Sequence, residues 1–274
     1  MKDKIKVVGI LLLTGFSFFY TNKVSDIIKE NDPIMKEIKQ EKEVMKVDKV
    51  DRVIMGDEYI TGINGCVIDE KNSYNKMKNE GQYKEDLIVM KEDEIKKDNN
   101  LYIVGGNKEK RNVSIVLLKD NEKMSNYFKK NNIFINYFLD GNYIIDNIDS
   151  LIKISKNANI YSLGRNNTYN SKYIIYDNNV IKTNFNNESN YCLLKNKDDD
   201  LLKLCSSYNM KTIKGDFISD NYLSYTKENL YGGKIFIYED INYKDLIINI
   251  NYILSKGYNI ISLDELLDET NKCN

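Results

Sequence analysis

Histidine is absent from this chain of 274 residues, and that absence excludes more chemistry than any residue present suggests. Without imidazole, a metal loses its commonest nitrogen ligand, and serine or cysteine nucleophiles lose their usual base. Tryptophan is also absent, and proline occurs once, at Pro33. The four cysteines (Cys66, Cys192, Cys205 and Cys273) show no Cys-x-x-Cys spacing, so nothing indicates a zinc ribbon. Forty basic residues against 41 acidic ones leave a net charge of −1. No clustered basic field is available for nucleic acid, and no nucleic-acid partner is expected. Gly105-Gly106 and Gly232-Gly233 are turn signals and belong to no phosphate loop.

What is present suits one domain of ordinary size with appendages. Hydrophobic residues make up 42% of the chain and charged residues 30%, enough for a core under a solvated surface. The wealth of Lys, Asn and Ile matches codon usage in an AT-rich bacterial genome. Met1 to Lys6 carries three lysines, and the almost wholly apolar run Val7 to Tyr20 follows. This is the n-region and h-region of an export signal, with no small-x-small cleavage site and no lipobox cysteine behind it. Residues 1–23 are therefore read as a signal anchor, a single-pass helix in the cell membrane with the rest extracytoplasmic. Secretion after signal cleavage is the alternative. Residues 24–51 are strongly charged with loosely spaced apolar positions, which predicts a helical stalk; Asp32-Pro33 suits a first turn. Residues 52–104 hold short apolar runs punctuated by Gly56, Gly62 and Gly65. They are expected to form a small β-rich element with a hairpin turn at Asn64-Gly65.

From Val113 onward apolar strands alternate with amphipathic helices, which argues an α/β fold with a mostly parallel sheet or barrel. Val113–Leu118, Ile133–Phe138, Asn159–Tyr161 and Tyr191–Leu194 read as strands. Met124, Tyr127 and Phe128 mark one helix, Ile148 to Ile152 another, and Leu201, Leu204, Cys205 and Tyr208 a third. Cys192 and Cys205, at a strand end and on the following helix, can pair as a disulfide outside the cytoplasm; the other reading is two separate thiols. The segment GGKIFIYEDINYKDLIININYILSKGYNIISLDELL, residues 232–267, encodes strand, helix, glycine stop, strand and final helix. Gly257 takes the position after the helix end, and Ser262 with Glu265 makes a capping box.

That closing segment resembles the last unit of the polysaccharide deacetylases of the NodB-homology type. Phe128 to Gly141 (FKKNNIFINYFLDG) is similar to the family's helix, Lys-rich turn and strand ending near Gly. The resemblance spans about Val113 to Leu267. It implies a distorted, incomplete (β/α) barrel over residues 105–274, with its site at the carboxyl ends of the strands. It also implies a zinc hydrolase, and there the match stops. The family's paired aspartates align with Leu118 and Lys119, with Asp120 just beyond. Its two histidines, four residues apart, align with Leu163 and Asn167. The arginine-bearing strand end appears as Tyr191 to Leu194. The last motif puts Glu239 where the histidine stands and keeps Asp240.

No zinc is expected where these ligands are missing. The expected protein is a membrane-anchored relative of the deacetylases that binds cell-wall glycan or an envelope protein without hydrolysing it. Tyr161, Tyr169 and Tyr238 fall near the family's site positions and are the candidate sugar-stacking residues. The alternative is a carbohydrate deacetylase or hydrolase with a rearranged, carboxylate-only site. Asp120, Glu239 and Asp240 are its candidate catalytic acids, with Asp140 a further strand-end acid.

Overall fold

The computed structural model describes residues 23–24, 27–97, 100–120, 122–166, 168–185 and 187–273. Apart from Lys23, the expected anchor therefore lies outside the described residues. Among the described residues no helix is long and apolar enough to cross a membrane.

In chain order the first elements are helix α1 (Pro33–Met45), strands β1 (Val53–Met55), β2 (Glu58–Ile60) and β3 (Gly65–Ile68), helix α2 (Glu70–Glu80) and strand β4 (Met90–Asp93). They divide between two units. The smaller comprises residues up to Lys49, Asn64–Glu94 and Thr270–Asn274, and the larger Val50–Ile63 and Ile95–Glu269.

In the smaller unit, β3 and β4 pair antiparallel from Gly65 opposite Asp93 to Ile68 opposite Met90. Asp32 caps α1, accepting from the Ile34 amide at 2.9 Å, and Pro33 occupies the first turn, where its missing N–H costs nothing. Met35 and Ile38 of α1 are buried against Ile68, Tyr74 and Met77. The stalk expectation is corrected on this point, because the apolar positions of 24–51 are the half-core of a folded unit. Its other half comes from 64–94. A disulfide joins Cys66 to Cys273 across 207 residues of chain.

The larger unit carries strands β5 (Tyr102–Gly105), β6 (Asn112–Leu117), β7 (Ile135–Leu139), β8 (Ala158–Ser162), β9 (Tyr191–Leu194), β10 (Lys211–Lys214), β11 (Phe217–Ile218), β12 (Ile235–Tyr238) and β13 (Asn259–Ile260). Its helices are α3 (Glu122–Asn131), α4 (Gly141–Asp146), α5 (Ile148–Ile154), α6 (Ser171–Phe185), α7 (Asp199–Ser207), α8 (Tyr222–Asn229), α9 (Tyr243–Ser255) and α10 (Leu263–Leu266). One sheet runs β11-β12-β6-β7-β8 with β13 also on β6, and the other β1-β2-β5-β10-β9. Every pairing between the described strands of the larger unit is parallel except β1 with β2. Residues 52–104 thus form no separate element. Residues 50–63 and 95–104 add β1, β2 and β5 to the larger unit, and 64–94 belong to the smaller one. The hairpin turn lies at Gly56-Asp57, and Gly65 instead opens β3.

The strands are apolar on both sides because both sides are covered. Val113, Ile115 and Leu117 of β6, with Tyr137 of β7 and Phe236 of β12, pack against α3, α5 and α9. Alternate residues point inward. Tyr59, Ile103, Val116, Phe138, Tyr161, Leu193, Ile213 and Ile237 form one inner cluster fed by both sheets. Two half-sheets closing on a shared interior make a distorted, incomplete barrel.

One seam is closed by the chain itself, which passes from β10 in one sheet directly to β11 in the other. Nearby, the Gly106 amide donates to the Gly233 carbonyl at 2.8 Å. Gly233 has φ +83°, and a Cβ there would lie 1.9 Å from the Gly106 oxygen, so only glycine fits this approach. The other seam, between β8 and β9, is open. Asn187 satisfies part of the β8 edge, donating to the Ile160 carbonyl at 2.9 Å. Inside, the Asp264 carboxylate accepts from Asn159 at 2.7 Å and from the Tyr161 hydroxyl at 3.1 Å. A disulfide joins Cys192 of β9 to Cys205 of α7.

Candidate functional site: the barrel mouth

The carboxyl ends of β6, β8, β9 and β12, with Phe217 of β11, surround a cavity of about 430 Å³. Leu118, Leu163, Leu193, Leu194 and Phe217 supply its apolar surface, with Tyr169 in the wall and Lys119, Lys195 and Glu239 at the rim. Strand alternation explains the set: Leu118, Leu193 and Glu239 continue the inward-facing series of β6, β9 and β12. Lys119 Nζ lies 2.7 Å from Asp240 Oδ2, both side chains about two-thirds exposed. Lys195 Nζ lies 3.7 Å from Glu239 Oε2 and 5.7 Å from the Phe217 ring centroid. The rim charges are thus matched in pairs, and such exposed pairs add little stability.

The candidate acids do gather. Asp120, Glu239 and Asp240 line one small cavity of about 130 Å³ beside the mouth, together with Lys119. Asp140 is otherwise engaged: it caps α4, accepting from the Asn142 amide at 2.9 Å and from the Asn166 amide at 2.5 Å.

The tyrosines behave differently from the sugar-stacking expectation. Tyr161 has no exposed surface; its ring stacks on Phe138 at 4.8 Å between centroids, and its hydroxyl faces Asp264. Tyr238 is 1% exposed and turned to the helix side, its hydroxyl 2.9 Å from that of Thr226. Neither offers a ring face to a ligand, and both are corrected here. Their positions alternate with the mouth residues or lie beneath them. Tyr169 does reach the mouth, but as a staple across the open seam. Its hydroxyl donates to the Ser162 carbonyl of β8 at 3.0 Å and accepts from the Leu193 amide of β9 at 3.0 Å. Burial pushes this phenol well above its ordinary pKa.

Sequence reasoning passed over the support of the loop after β8. Arg165 Nη2 bonds the buried Asp177 carboxylate at 3.1 Å, and Ser162 Oγ donates to the same group at 2.8 Å. Arg165 also lies over the rings of Tyr173 and Tyr176, at 4.6 and 5.1 Å. Residues twelve apart on a loop and a helix carry no local signal of this pairing. Asn167, aligned with the second histidine, lies outside the described residues.

The zinc that the resemblance implies does not fit this mouth. Leu118 and Leu163 offer hydrocarbon, Lys119 and Lys195 offer ammonium groups, and Glu239 is the one carboxylate lining the cavity. A zinc site wants three or four N, S or carboxylate donors on one point. Among the described residues no group of three His, Cys, Asp or Glu side chains is placed to hold a metal ion.

No family model matches the sequence, and no curated protein matches it. Solved structures do. BA3943 of Bacillus anthracis, described as a CE4 family pseudoenzyme, aligns with TM-score 0.57 and 18% identity over 88% of this chain and 97% of that one. A mutant of BA3943 with restored enzymatic activity aligns with TM-score 0.59 and 19% identity, over 88% of this chain and all of that one. The Bc1960 peptidoglycan N-acetylglucosamine deacetylase aligns with TM-score 0.54 and 15% identity, over 63% of this chain and 95% of its own. Such likenesses speak to the fold. The chain has the fold of the polysaccharide deacetylases, the NodB-homology or CE4 type, in a degenerate version built without histidine.

Proposed function

We propose that this protein is a non-hydrolytic binding protein on a deacetylase barrel, working outside the cytoplasm and anchored by its N-terminal segment. Its mouth holds a stretch of cell-wall glycan. The observation that carries this reading is the lining of the mouth. Leu118 and Leu163 occupy strand ends where an enzyme of this fold needs donors, yet the cavity of about 430 Å³ is kept. A concave apolar floor with a few polar groups at its rim is the usual form of a small-ligand site. Pyranose rings match it, with C–H faces for Phe217 and the leucines and hydroxyls for Lys195 and Glu239. The likeness to a peptidoglycan N-acetylglucosamine deacetylase supports glycan as the ligand, with an envelope protein as the other candidate.

The test is calorimetric titration of the purified chain with N-acetylglucosamine tetramers and soluble peptidoglycan fragments, beside an acetate-release assay. Saturable binding is expected, weakened roughly tenfold by Phe217→Ala through lost apolar contact, with no acetate released. Release that vanishes on chelation overturns the reading, and absence of glycan binding transfers the mouth to a protein ligand.

The gathering of Asp120, Glu239 and Asp240 around one cavity favours a second reading, a carboxylate-only hydrolase. It requires acetate or sugar release that survives chelation and is lost in Asp240→Asn.

A further inference from the structure

We infer that a separate site beside the mouth, in the cleft between α8 and α9, binds the protonated amine of a de-N-acetylated amino sugar. The cleft encloses about 450 Å³, and Asp220, Asp245 and Asn249 line it together with Ser219, Ser224 and Tyr222.

Asn249 is fully buried. Its Nδ2 donates to the Asp245 carbonyl one turn earlier at 2.8 Å, which leaves Oδ1 as the amide's other polar atom. That oxygen has no hydrogen-bond partner among the described residues. Buried acceptors in folded proteins are nearly always partnered, and one that is not asks for a donor from outside.

The two carboxylates of the lining argue for the same kind of ligand. Asp220 accepts from Asn221 Nδ2 at 3.2 Å, and Asp245 from Asn242 Nδ2 at 2.6 Å. Among the described residues neither stands in an ion pair, whereas Asp240 and Glu239 of the mouth rim have Lys119 and Lys195. The local field is therefore negative here and balanced at the mouth. Tyr222 registers it: burial first, then Asp240, Asp245, Asp220 and Glu239, raise its phenol. Carboxylates and an amide oxygen in the lining suit a compact donor with several N–H groups and positive charge.

Ser219 and Ser224 add hydroxyls suited to a polyol. They and Asp220 also line an adjoining cleft of about 410 Å³ that contains Asp216 and Glu228. Consecutive clefts, each with carboxylates, suit a ligand that repeats an amine and hydroxyls along a chain, as an oligomer of glucosamine does. The inference shares the glycan with the reading of the mouth but uses a different site, so either can fail alone.

The full chain is titrated calorimetrically with a fully de-N-acetylated glucosamine tetramer and with its N-acetylated counterpart, at a pH that keeps the amines protonated. The amine form is expected to bind, more weakly at high salt. Asp220→Asn with Asp245→Asn should lower its affinity about tenfold or more. Leu118→Ala, which lines the mouth and neither of these clefts, should leave it unchanged. In the unsubstituted chain the Asn249 side-chain amide resonances should shift during the same titration. The inference is overturned if the amine tetramer does not bind or if the double variant binds it equally. It also fails if the Asn249 resonances stay still, or if a trilysine peptide outcompetes the sugar.

Discussion

Replacing Glu269 with alanine strands a guanidinium inside the larger unit. Arg52 and Glu269 are 3% and 4% exposed at their side chains, and Arg52 Nε donates to Glu269 Oε1 at 2.6 Å. The same oxygen accepts from the Gly62 amide at 3.1 Å, and the guanidinium lies 4.3 Å from the Tyr59 ring centroid. Removing one partner of such a pair costs about 3–5 kcal/mol, because the remaining charge is buried without compensation. The Gly62 N–H loses its acceptor as well, which adds about 1 kcal/mol. For a unit of this size each kcal/mol lowers Tm by roughly 2–4 °C, so Glu269→Ala should melt roughly 8–24 °C lower. The double variant Arg52→Met/Glu269→Leu removes both charges and fills the space with hydrocarbon, and it should recover to within about 2 kcal/mol of the parent. Thermal and urea unfolding followed by far-ultraviolet circular dichroism provide the double-mutant cycle. A Glu269→Ala loss below about 1 kcal/mol, or a double variant no better than the single, refutes the argument.

Two further outcomes follow from the interior. Burial raises the pKa of the Asp264 carboxyl, against the opposing hydrogen bonds from Tyr161, Tyr191 and Asn159. A carboxyl raised in the fold stabilises most when protonated, so its contribution is full in acid and declines as pH climbs out of the ordinary carboxylate range, about 4. Asp264→Asn should flatten that part of the stability-versus-pH curve, and an unchanged slope counts against it. Cys192 and Cys205 close a short loop 13 residues apart in sequence, and Cys192→Ala with Cys205→Ala should cost about 3 kcal/mol in denaturant titrations. Intact mass before and after reduction and alkylation should report two bridges, and free thiols in the unreduced chain would contradict the pairing.

Legibility tracked the locality of the signal. Strands β6, β7, β9 and β12 were readable because both of their faces are buried, so their apolar runs are unbroken. Strand β10 reads Lys-Thr-Ile-Lys, and β5 follows a polar stretch; each is a strand only because parallel neighbours cover it. The segment Tyr173 to Ile181 hides α6, since the helix buries Asp177 among its apolar residues. α1 looked solvated because half of its core partners lie across an intervening strand pair that belongs to the other unit. At the mouth, the strand-end positions Leu118, Lys119 and Glu239 were found from sequence, while Phe217 and Lys195 were not. Those two come from strand ends whose neighbours only the topology supplies.

By itself the sequence determined what the chain is made of chemically. It has no imidazole, no balance of charge toward nucleic acid, and hydrocarbon and ammonium where a metal enzyme of this fold carries donors. These are properties of composition and of short motifs, and folding cannot alter them. Only the tertiary structure decided which groups meet. It turned Tyr161 and Tyr238 away from solvent, made Tyr169 a bridge between two strands and paired Cys66 with Cys273. Each of those facts depends on residues far apart in the chain being brought within a few ångströms, and no local pattern encodes such a distance.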